Sequence, residues 1–238
     1  MPGISVVIPT MNEGEYLEPT LQALSEQLRP ADEVIIVDSE SKDDTVKVAR
    51  HYTRLVFRQP RSGIGPAKTL GALKASNPVV ASLDADGPPR PGWLEAARAH
   101  FASGSRTVGV AGLGLYAGHT IAHRAVYNAY ARAVFLGGLL NYRLTGTPWM
   151  PVNNVAIRRD FLLARGGWRN VVCEDLDFAV RNRGLVGVVY EPRMQVILSD
   201  RRFVKDGFLR TVLLWGRANL RVLRQREVLV SSEYEQIR

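Results

Sequence analysis

The sequence has only one cysteine, Cys173, among its 238 residues, so no disulfide can form within the chain. It also has no long apolar run: the longest stretch without a charged residue, Thr107 to His123, contains four glycines and two histidines. A membrane-spanning helix needs about 20 apolar residues, and the N-terminus lacks the basic flank of a signal peptide. We therefore expect a cytoplasmic protein without a membrane crossing, in which Cys173 is a small packed residue.

Acidic residues are scarce in the second half of the chain. Residues 1–119 carry 12 basic and 13 acidic side chains, whereas residues 120–238 carry 19 and 10, so all of the net charge of +8 arises there. This imbalance predicts an anionic partner, and a basic nucleic-acid-binding module is one alternative. No interleaving of basic and aromatic residues supports that module, so we expect no nucleic acid partner. The 46% share of hydrophobic residues excludes a disordered chain.

Three common motifs are also missing. A dinucleotide-binding Gly-x-Gly-x-x-Gly would follow the first strand, where this chain has Pro-Thr-Met-Asn-Glu-Gly. Neither a Gly-Lys-Ser/Thr phosphate loop nor a Gly-x-Ser-x-Gly nucleophile elbow occurs in the sequence. These absences argue against NAD-dependent, ATP-hydrolysing and α/β-hydrolase enzymes. They also disfavour a nucleotidyltransferase, the second enzyme alternative, which usually has a glycine-rich loop after its first strand.

Short apolar runs alternate with amphipathic segments along the first 83 residues. The pattern predicts strands at Ile4–Ile8, Glu33–Val37, Arg54–Phe57 and Val79–Leu83, and helices at Asn12–Gln27, Asp43–Tyr52 and Gly65–Ala75. Because this alternation is typical of βαβ units, we predict an α/β fold with a Rossmann-like, mostly parallel sheet flanked by helices. The less regular second half predicts strands at Val108–Tyr116, Val186–Tyr190 and Val196–Leu198, and helices at Ile121–Leu140, Asp160–Arg165, Glu174–Arg183 and Asp206–Gln225.

Polar, acidic segments follow three of the predicted strands. They are Pro9 to Glu13, Asp38 to Ser41, and Asp84 to Gly87. Since ligands bind at the carboxyl ends of parallel strands, we expect these segments to meet in one crevice. Asp84 and Asp86 would there offer two carboxylates, which suit Mg²⁺ or Mn²⁺. The alternative is that the two aspartates only cap a turn.

These segments, in this order, resemble family 2 glycosyltransferases of GT-A fold. The resemblance rests on Val6 to Glu13, Ile35 to Thr45 and Asp84-Ala85-Asp86, followed by Asn154 to Arg159, Gly166-Gly167-Trp168 and Glu174 to Asp177. It implies one domain over residues 1–238, with a nucleotide-sugar-binding half at 1–106 and an acceptor-side half at 107–238. It also implies transfer of a single sugar from a UDP- or GDP-sugar.

The resemblance assigns roles to the residues of the first half. Pro9 and Asp38 would line the nucleobase and ribose pocket, with Glu13 and the segment from Arg61 to Lys68 nearby. Asp84 and Asp86 would bind the sugar and the metal, with Asp86 the direct ligand. The chemistry agrees, because a divalent cation held by carboxylates stabilises the charge that develops on a departing nucleoside diphosphate. For Asp38 the alternative is a capping residue in a turn.

A second acidic group, Glu174 to Asp177, carries the candidate base. Asp175 resembles the catalytic base of the family, and crowding by Glu174 and Asp177 is expected to raise its pKa. A base opposite the leaving group indicates inversion by a single displacement. The alternative is that these acids begin a helix and interact with its dipole.

The chain lacks the Gln-x-x-Arg-Trp motif of the processive members, so we expect a nonprocessive enzyme. In its place Ser199-Asp200-Arg201-Arg202-Phe203 resembles a basic segment of nonprocessive members. Arg201 or Arg202 would bind a phosphate of the donor or the acceptor, and a surface salt bridge is the alternative.

The acceptor is expected to be a saccharide or a polyprenyl phosphate. The predicted helix from Asp206 to Gln225 has an apolar stripe and an adjacent row of arginines. The stripe is Leu209, Val212, Leu213, Leu220 and Leu223, and the row is Arg210, Arg217, Arg221 and Arg224. Such a helix can lie on the anionic inner face of a membrane as a peripheral contact. The alternative is that the stripe packs on the protein core.

Overall fold

The computed structural model describes residues 1–60, 63–102 and 104–225, which form one mixed sheet flanked by helices. The strands are β1 Ile4–Thr10, β2 Glu33–Asp38, β3 Val56–Arg58, β4 Val79–Leu83, β5 Gly109–Tyr116, β6 Asn154–Arg158 and β7 Val188–Leu198. The helices are α1 Gly14–Ser25, α2 Thr45–Tyr52, α3 Ile64–Lys74, α4 Trp93–Arg98, α5 Ile121–Thr145, α6 Arg159–Ala164, α7 Glu174–Arg181, α8 Arg201–Asp206 and α9 Phe208–Gln225.

The strand order of this sheet is β3-β2-β1-β4-β6-β5-β7. Strand β1 is parallel to β2 and β4, β2 is parallel to β3, and β7 is parallel to β5. Only β6 runs antiparallel, to both β4 and β5. The predicted mostly parallel sheet is therefore confirmed, and the carboxyl ends of β1, β2 and β4 lie along one edge.

The central strands are buried on both faces, which explains their continuous apolar runs. In β1, Val6 and Ile8 face one hydrophobic cluster and Val7 faces another. Helix α1 covers the first face through Leu17, Leu21 and Leu24, a spacing that places them on one side of a helix. Apolar layers on both faces thus stabilise the sheet, so the polar residues at its strand ends are not needed for packing.

An ion pair lies at the opposite edge, where β1 and β2 begin. Arg98 of α4 donates to Asp32 through Nη2, at 2.7 Å from Oδ2, and to the carbonyl of Pro2 through Nη1. The other oxygen of Asp32 accepts from the backbone of Ile4, at 2.8 Å. The two side chains are only 2% and 0% exposed. This pair therefore fixes the relative position of α4 and the first two strands.

Several predicted boundaries in the second half are wrong. The helix predicted over Asp206–Gln225 begins two residues later, at Phe208, because Gly207 adopts a φ of +83°, a conformation that glycine tolerates best. A short helix that was not predicted, α8, ends at Asp206. The strands predicted at Val186–Tyr190 and Val196–Leu198 are one strand, β7, whose register with β5 shifts at Gly112/Leu113. The polar residues around this shift hide the continuity of β7 in the sequence.

The outward face of α9 also differs from the alternative expectation, that its apolar stripe packs on the protein core. Val212 is half-buried, but the four leucines of the stripe are 50–69% exposed, so most of the stripe does not pack on the core. The helix instead contacts the protein through Phe208, Thr211 and Trp215, of which Thr211 is fully buried. No helix in the described ranges is long and apolar enough to cross a bilayer.

We predict that Arg98→Met lowers the free energy of unfolding by about 3 kcal/mol, because it leaves the carboxylate of Asp32 buried without its cation. Chemical denaturation monitored by circular dichroism measures this loss. Arg29→Met is the matched control, since Arg29 and Glu95 form an ion pair with side chains 49% and 53% exposed. Exposed pairs contribute less than about 1 kcal/mol. Equal losses in the two variants would contradict the structural role of the buried pair.

Candidate active site

The loop after β4 carries two aspartates. Asp84 accepts a hydrogen bond from the ammonium of Lys68, at 2.7 Å between Nζ and Oδ1, and the same ammonium donates to the carbonyl of Val152, at 2.7 Å. Lys68 lies on α3 and its side chain is fully buried. A buried ammonium needs such partners to offset its lost hydration. Lys68 therefore lies among the acids that follow β4, where it balances the charge of Asp84.

The second aspartate, Asp86, binds the guanidinium of Arg201. The distance from Nη2 to Oδ2 is 2.6 Å, and the same nitrogen is 3.3 Å from Oε2 of Glu13. The guanidinium also lies over the ring of Tyr16, 4.1 Å from its centre. Since Glu13 follows β1 and Arg201 begins α8, this contact joins the first strand end to the C-terminal part of the described chain.

Glu13 is perturbed by this environment. Burial raises the pKa of its carboxyl to about 6, the positive charge of Arg201 opposes the change, and the negative charge of Asp86 adds to it. Glu13 is therefore an acid that can change its protonation state near neutral pH. Carboxyls with such values are common at binding and catalytic sites.

Asp84, Asp86 and Arg201 face a cavity of about 270 Å³. Its walls include both aspartates, both arginines predicted to bind phosphate, and several neighbours: Asp84, Asp86, Gly87, Tyr116, Asn153, Leu198, Ser199, Arg201, Arg202 and Trp215. The structure thus places Asp84, Asp86, Arg201 and Arg202 around one cavity, and Glu13 contacts this group through Arg201. Carboxylates beside guanidinium groups form a site for a ligand that carries both phosphate and polar groups.

Asp84 and Asp86 also fit a divalent cation by their chemistry. Their side chains are 37% and 20% exposed, and carboxylate oxygens are the ligands that Mg²⁺ and Mn²⁺ prefer. In the described part of the chain, no group of three or more His, Cys, Asp or Glu side chains is placed to hold a metal. A cation there would use this pair together with waters and substrate phosphates, as Mg²⁺ commonly does. It would also compete with Arg201 for Asp86.

The predicted nucleoside residues are arranged differently. Asp38 is only 3% exposed and accepts hydrogen bonds from the hydroxyls of Thr10 and Ser41, at 3.2 and 2.5 Å, and from the backbone of Ser41, at 3.1 Å. Its carboxylate therefore holds the turn after β2, which agrees with the capping alternative. Pro9 is half-buried near the end of β1, beside Val37. Arg61 lies outside the described residues.

Glu174 and Asp175 begin α7. The indole of Trp149 donates to Oδ2 of Asp175, at 2.9 Å, and the backbone of Leu176 donates to Oδ1, at 2.8 Å. Burial is the main cause that raises the pKa of Asp175. Burial and the charge of Asp175 raise the pKa of Glu174 to about 7. The residue before them, Cys173, has a φ of +60°, a conformation that is rare outside glycine and is often found at functional sites.

The sequence predicts the direction of the Asp175 shift but not its cause. Asp177, which was expected to crowd Asp175, instead accepts from Arg181, at 2.8 Å, and lies 3.8 Å from Arg169. These ion pairs anchor α7. Trp149 is absent from the predicted set, because it lies in a loop and no motif spacing connects it with Asp175. Only the folded chain brings the two side chains together.

Comparisons with known proteins identify relatives of this chain. An uncharacterized glycosyltransferase of Mycobacterium tuberculosis is 40% identical over 84 residues, which are 35% of this chain and 37% of that protein. Glycosyltransferase AglE of Haloferax volcanii is 32% identical over 103 residues, which cover 40% of this chain and 34% of AglE. The chain therefore matches little more than a third of the length of these relatives.

Two solved structures have a similar fold. Mannosyltransferase PcManGT from Pyrobaculum calidifontis, in complex with GDP-Man and Mn²⁺, has a TM-score of 0.66 at 18% identity, over 99% of this chain and 76% of that chain. Glucosyl-3-phosphoglycerate synthase from M. tuberculosis, in complex with Mn²⁺ and UDP-Glc, has a TM-score of 0.66 at 19% identity, over 94% and 79%. These likenesses confirm the predicted GT-A fold.

The model of the glycosyl transferase family 2 matches residues 5–166. This segment begins with β1 and extends past the two aspartates, β6 and α6. Because the match covers more than half of the chain, the protein belongs to glycosyl transferase family 2.

Proposed function

We propose that this chain is a metal-dependent, inverting glycosyltransferase that moves one sugar from a UDP- or GDP-sugar to a saccharide or a polyprenyl phosphate. The observation that carries the proposal is the cavity in which Asp84 and Asp86 lie beside Arg201 and Arg202. A nucleotide-sugar has a diphosphate that needs cationic partners and a sugar that needs polar ones. Similar folds that bind GDP-Man or UDP-Glc with Mn²⁺ support the same assignment.

Donor binding is assigned to the strand ends. Asp84 and Asp86 would hold Mg²⁺ or Mn²⁺, which as a Lewis acid stabilises the negative charge of the departing nucleoside diphosphate. Arg201 and Arg202 are assigned to the phosphates, since guanidinium groups bind them with charge-assisted hydrogen bonds. Pro9, Asp38 and Arg61 are assigned to the nucleoside, with Glu13 and Lys68 nearby, and Glu174 is assigned to the substrate as well. Asp38 would have this role in addition to holding the turn after β2.

Asp175 is assigned as the base that accepts the proton of an attacking hydroxyl. The hydroxyl oxygen bonds to the anomeric carbon while the bond from that carbon to the diphosphate oxygen breaks, and the electron pair leaves with the nucleotide. Attack from the face opposite the leaving group inverts the anomeric configuration. If the acceptor is a phosphate, its oxygen is already ionised, and Asp175 contributes less than the arginines do.

We predict that Asp86→Asn removes the metal-dependent stabilisation by nucleotides. In a thermal-shift panel of UDP- and GDP-sugars with and without Mn²⁺, a donor at 100 times its Kd adds about 2.7 kcal/mol of stability, or several degrees in Tm. The unsubstituted chain should show this rise with Mn²⁺ and Asp86→Asn should not. Asp44→Asn, at an exposed acid just before α2 and outside the cavity, is the control. No rise with any donor at any Mn²⁺ concentration would refute the proposed activity.

We predict that Trp149→Phe lowers kcat about tenfold for a hydroxyl acceptor, since one hydrogen bond to a charged group contributes about 1.5 kcal/mol or more. The indole hydrogen bond favours the ionised carboxylate, so its loss raises the pKa of Asp175. The acidic limb of the pH–rate profile should therefore move to higher pH. A fall in kcat without a shift of the pH–rate profile would mean that Trp149 does not act through the pKa of Asp175. Asp175→Asn, assayed in parallel, should abolish transfer to hydroxyls.

The proposal includes a peripheral contact between α9 and an anionic membrane surface. The exposed leucines of α9 adjoin Arg210, Arg217 and Arg221, which are also exposed, and the sequence of Phe208–Gln225 has no acidic residue. Apolar side chains insert among lipid chains while arginines bind the headgroups, so such a helix lies in the membrane interface. A second copy of this surface would place arginines against arginines, which disfavours self-association.

We predict that the chain co-floats with phosphatidylglycerol vesicles but only weakly with phosphatidylcholine vesicles. Burial of one leucine side chain contributes about 1.5–3 kcal/mol, so Leu213→Asp and Leu220→Asp should each lower the vesicle partition coefficient at least about tenfold. Leu73→Asp on α3, where the leucine is 55% exposed, is the matched control and should bind normally. Binding that is equal for the α9 variants and the control would exclude α9 as the contact.

A further inference from the structure

A second cavity, larger than the acidic one, lies between the carboxyl end of β5 and the start of α5. Its volume is about 640 Å³, and we call it the β5–α5 groove. Its described walls are Arg90, Leu115, Tyr116, Ala117, Ile121, Arg124, Ala125, Asn128, Arg132 and Ile197. None of the roles assigned above uses this groove, although a volume of this size is typical of small-molecule sites.

The floor and rim of the groove are apolar. Leu115 is buried, with 8% of its surface exposed, and Ala117, Ala125 and Ile197 continue the same lining. Ile121 stands at the rim and is 79% exposed, so a large apolar side chain faces solvent at the entrance. An apolar chain that entered the groove would remove this surface from water, which is favourable.

The charged residues among the described walls of the groove are all of one sign. They are Arg90, Arg124 and Arg132, and none of these described walls is acidic. Asn128 lies between the two arginines of α5, but its amide is already bonded to the backbone of Tyr116, at 2.7 and 3.1 Å. The arginines are therefore the polar groups that a ligand would meet. Three guanidinium groups beside apolar walls suit a phosphate attached to an apolar chain.

The groove adjoins the acidic cavity. Tyr116, the last residue of β5, lines both cavities, so the two cavities are neighbours at the carboxyl end of this strand. This shared residue connects the groove with the acidic site.

We propose that the β5–α5 groove binds the acceptor, and that the acceptor is an anionic amphiphile with a phosphate beside an apolar chain. The proposal rests on the glycosyltransferase function above and selects the lipid-phosphate class of acceptor over the plain saccharide. The apolar walls bind the chain, and Arg90, Arg124 and Arg132 bind the phosphate.

The test is isothermal titration calorimetry of the full chain with octyl phosphate below its micellar concentration. Octyl phosphate should bind at least tenfold more tightly than inorganic phosphate, which lacks the chain, and than octyl glucoside, which lacks the charge. Arg124→Gln and Ile121→Asn should each weaken binding about tenfold. Arg143→Gln is the matched control, because Arg143 is exposed on the same helix but does not line the groove.

Two further arms separate the possible sources and failures. Displacement of octyl phosphate by phosphatidic acid vesicles would identify a bilayer lipid as the source, and lack of displacement would identify a soluble phosphate amphiphile. Equal affinities for octyl phosphate and inorganic phosphate, or an unchanged affinity in Arg124→Gln, would overturn the groove proposal even if nucleotides stabilise the chain. Octyl phosphate binding without any nucleotide binding would instead overturn the glycosyltransferase function and the acceptor role that rests on it.

Discussion

The buried ammonium of Lys68 is the charge on which the acidic site depends. It donates to Asp84 at 2.7 Å, and its positive charge also lowers the pKa values of Glu174 and Asp175, which burial raises. Burial disfavours the ionised forms of Glu174 and Asp175, and a nearby cation favours them. One lysine on α3 thus allows the acids that follow β4 and the acids that begin α7 to share a site.

Arg201 has a corresponding role at the open side of the site. Its guanidinium binds Asp86 and Glu13, which belong to different strand ends, and it lies over the ring of Tyr16. Through this one side chain, α8 is attached to the loops after β1 and β4. A ligand that brings its own positive charge to Asp86 must replace this contact, so binding at the aspartates and the position of α8 are coupled electrostatically.

The sequence predicts the first half well because its signals are local. Continuous apolar runs mark strands buried on both faces, and each polar segment after them lies at the expected edge of the sheet. The second half depends on long-range contacts that no local pattern reports. Trp149 reaches Asp175 across 26 positions, and the helical periodicity continues through Gly207, where the helix breaks. The exposure of the α9 stripe likewise depends on which face the tertiary contacts of Phe208 and Trp215 select.

Gly207 divides the C-terminal part of the described chain into two pieces with different neighbours. Helix α8 is tied to the acids by Arg201, whereas α9 presents leucines and arginines outward. The joint between the two helices is this single glycine with a positive φ, which ends α8 before α9 begins. The outward face of α9, which we propose to contact a membrane, therefore lies on a different helix from the guanidinium that binds Asp86, while Trp215 on the inner face of α9 still lines the acidic cavity.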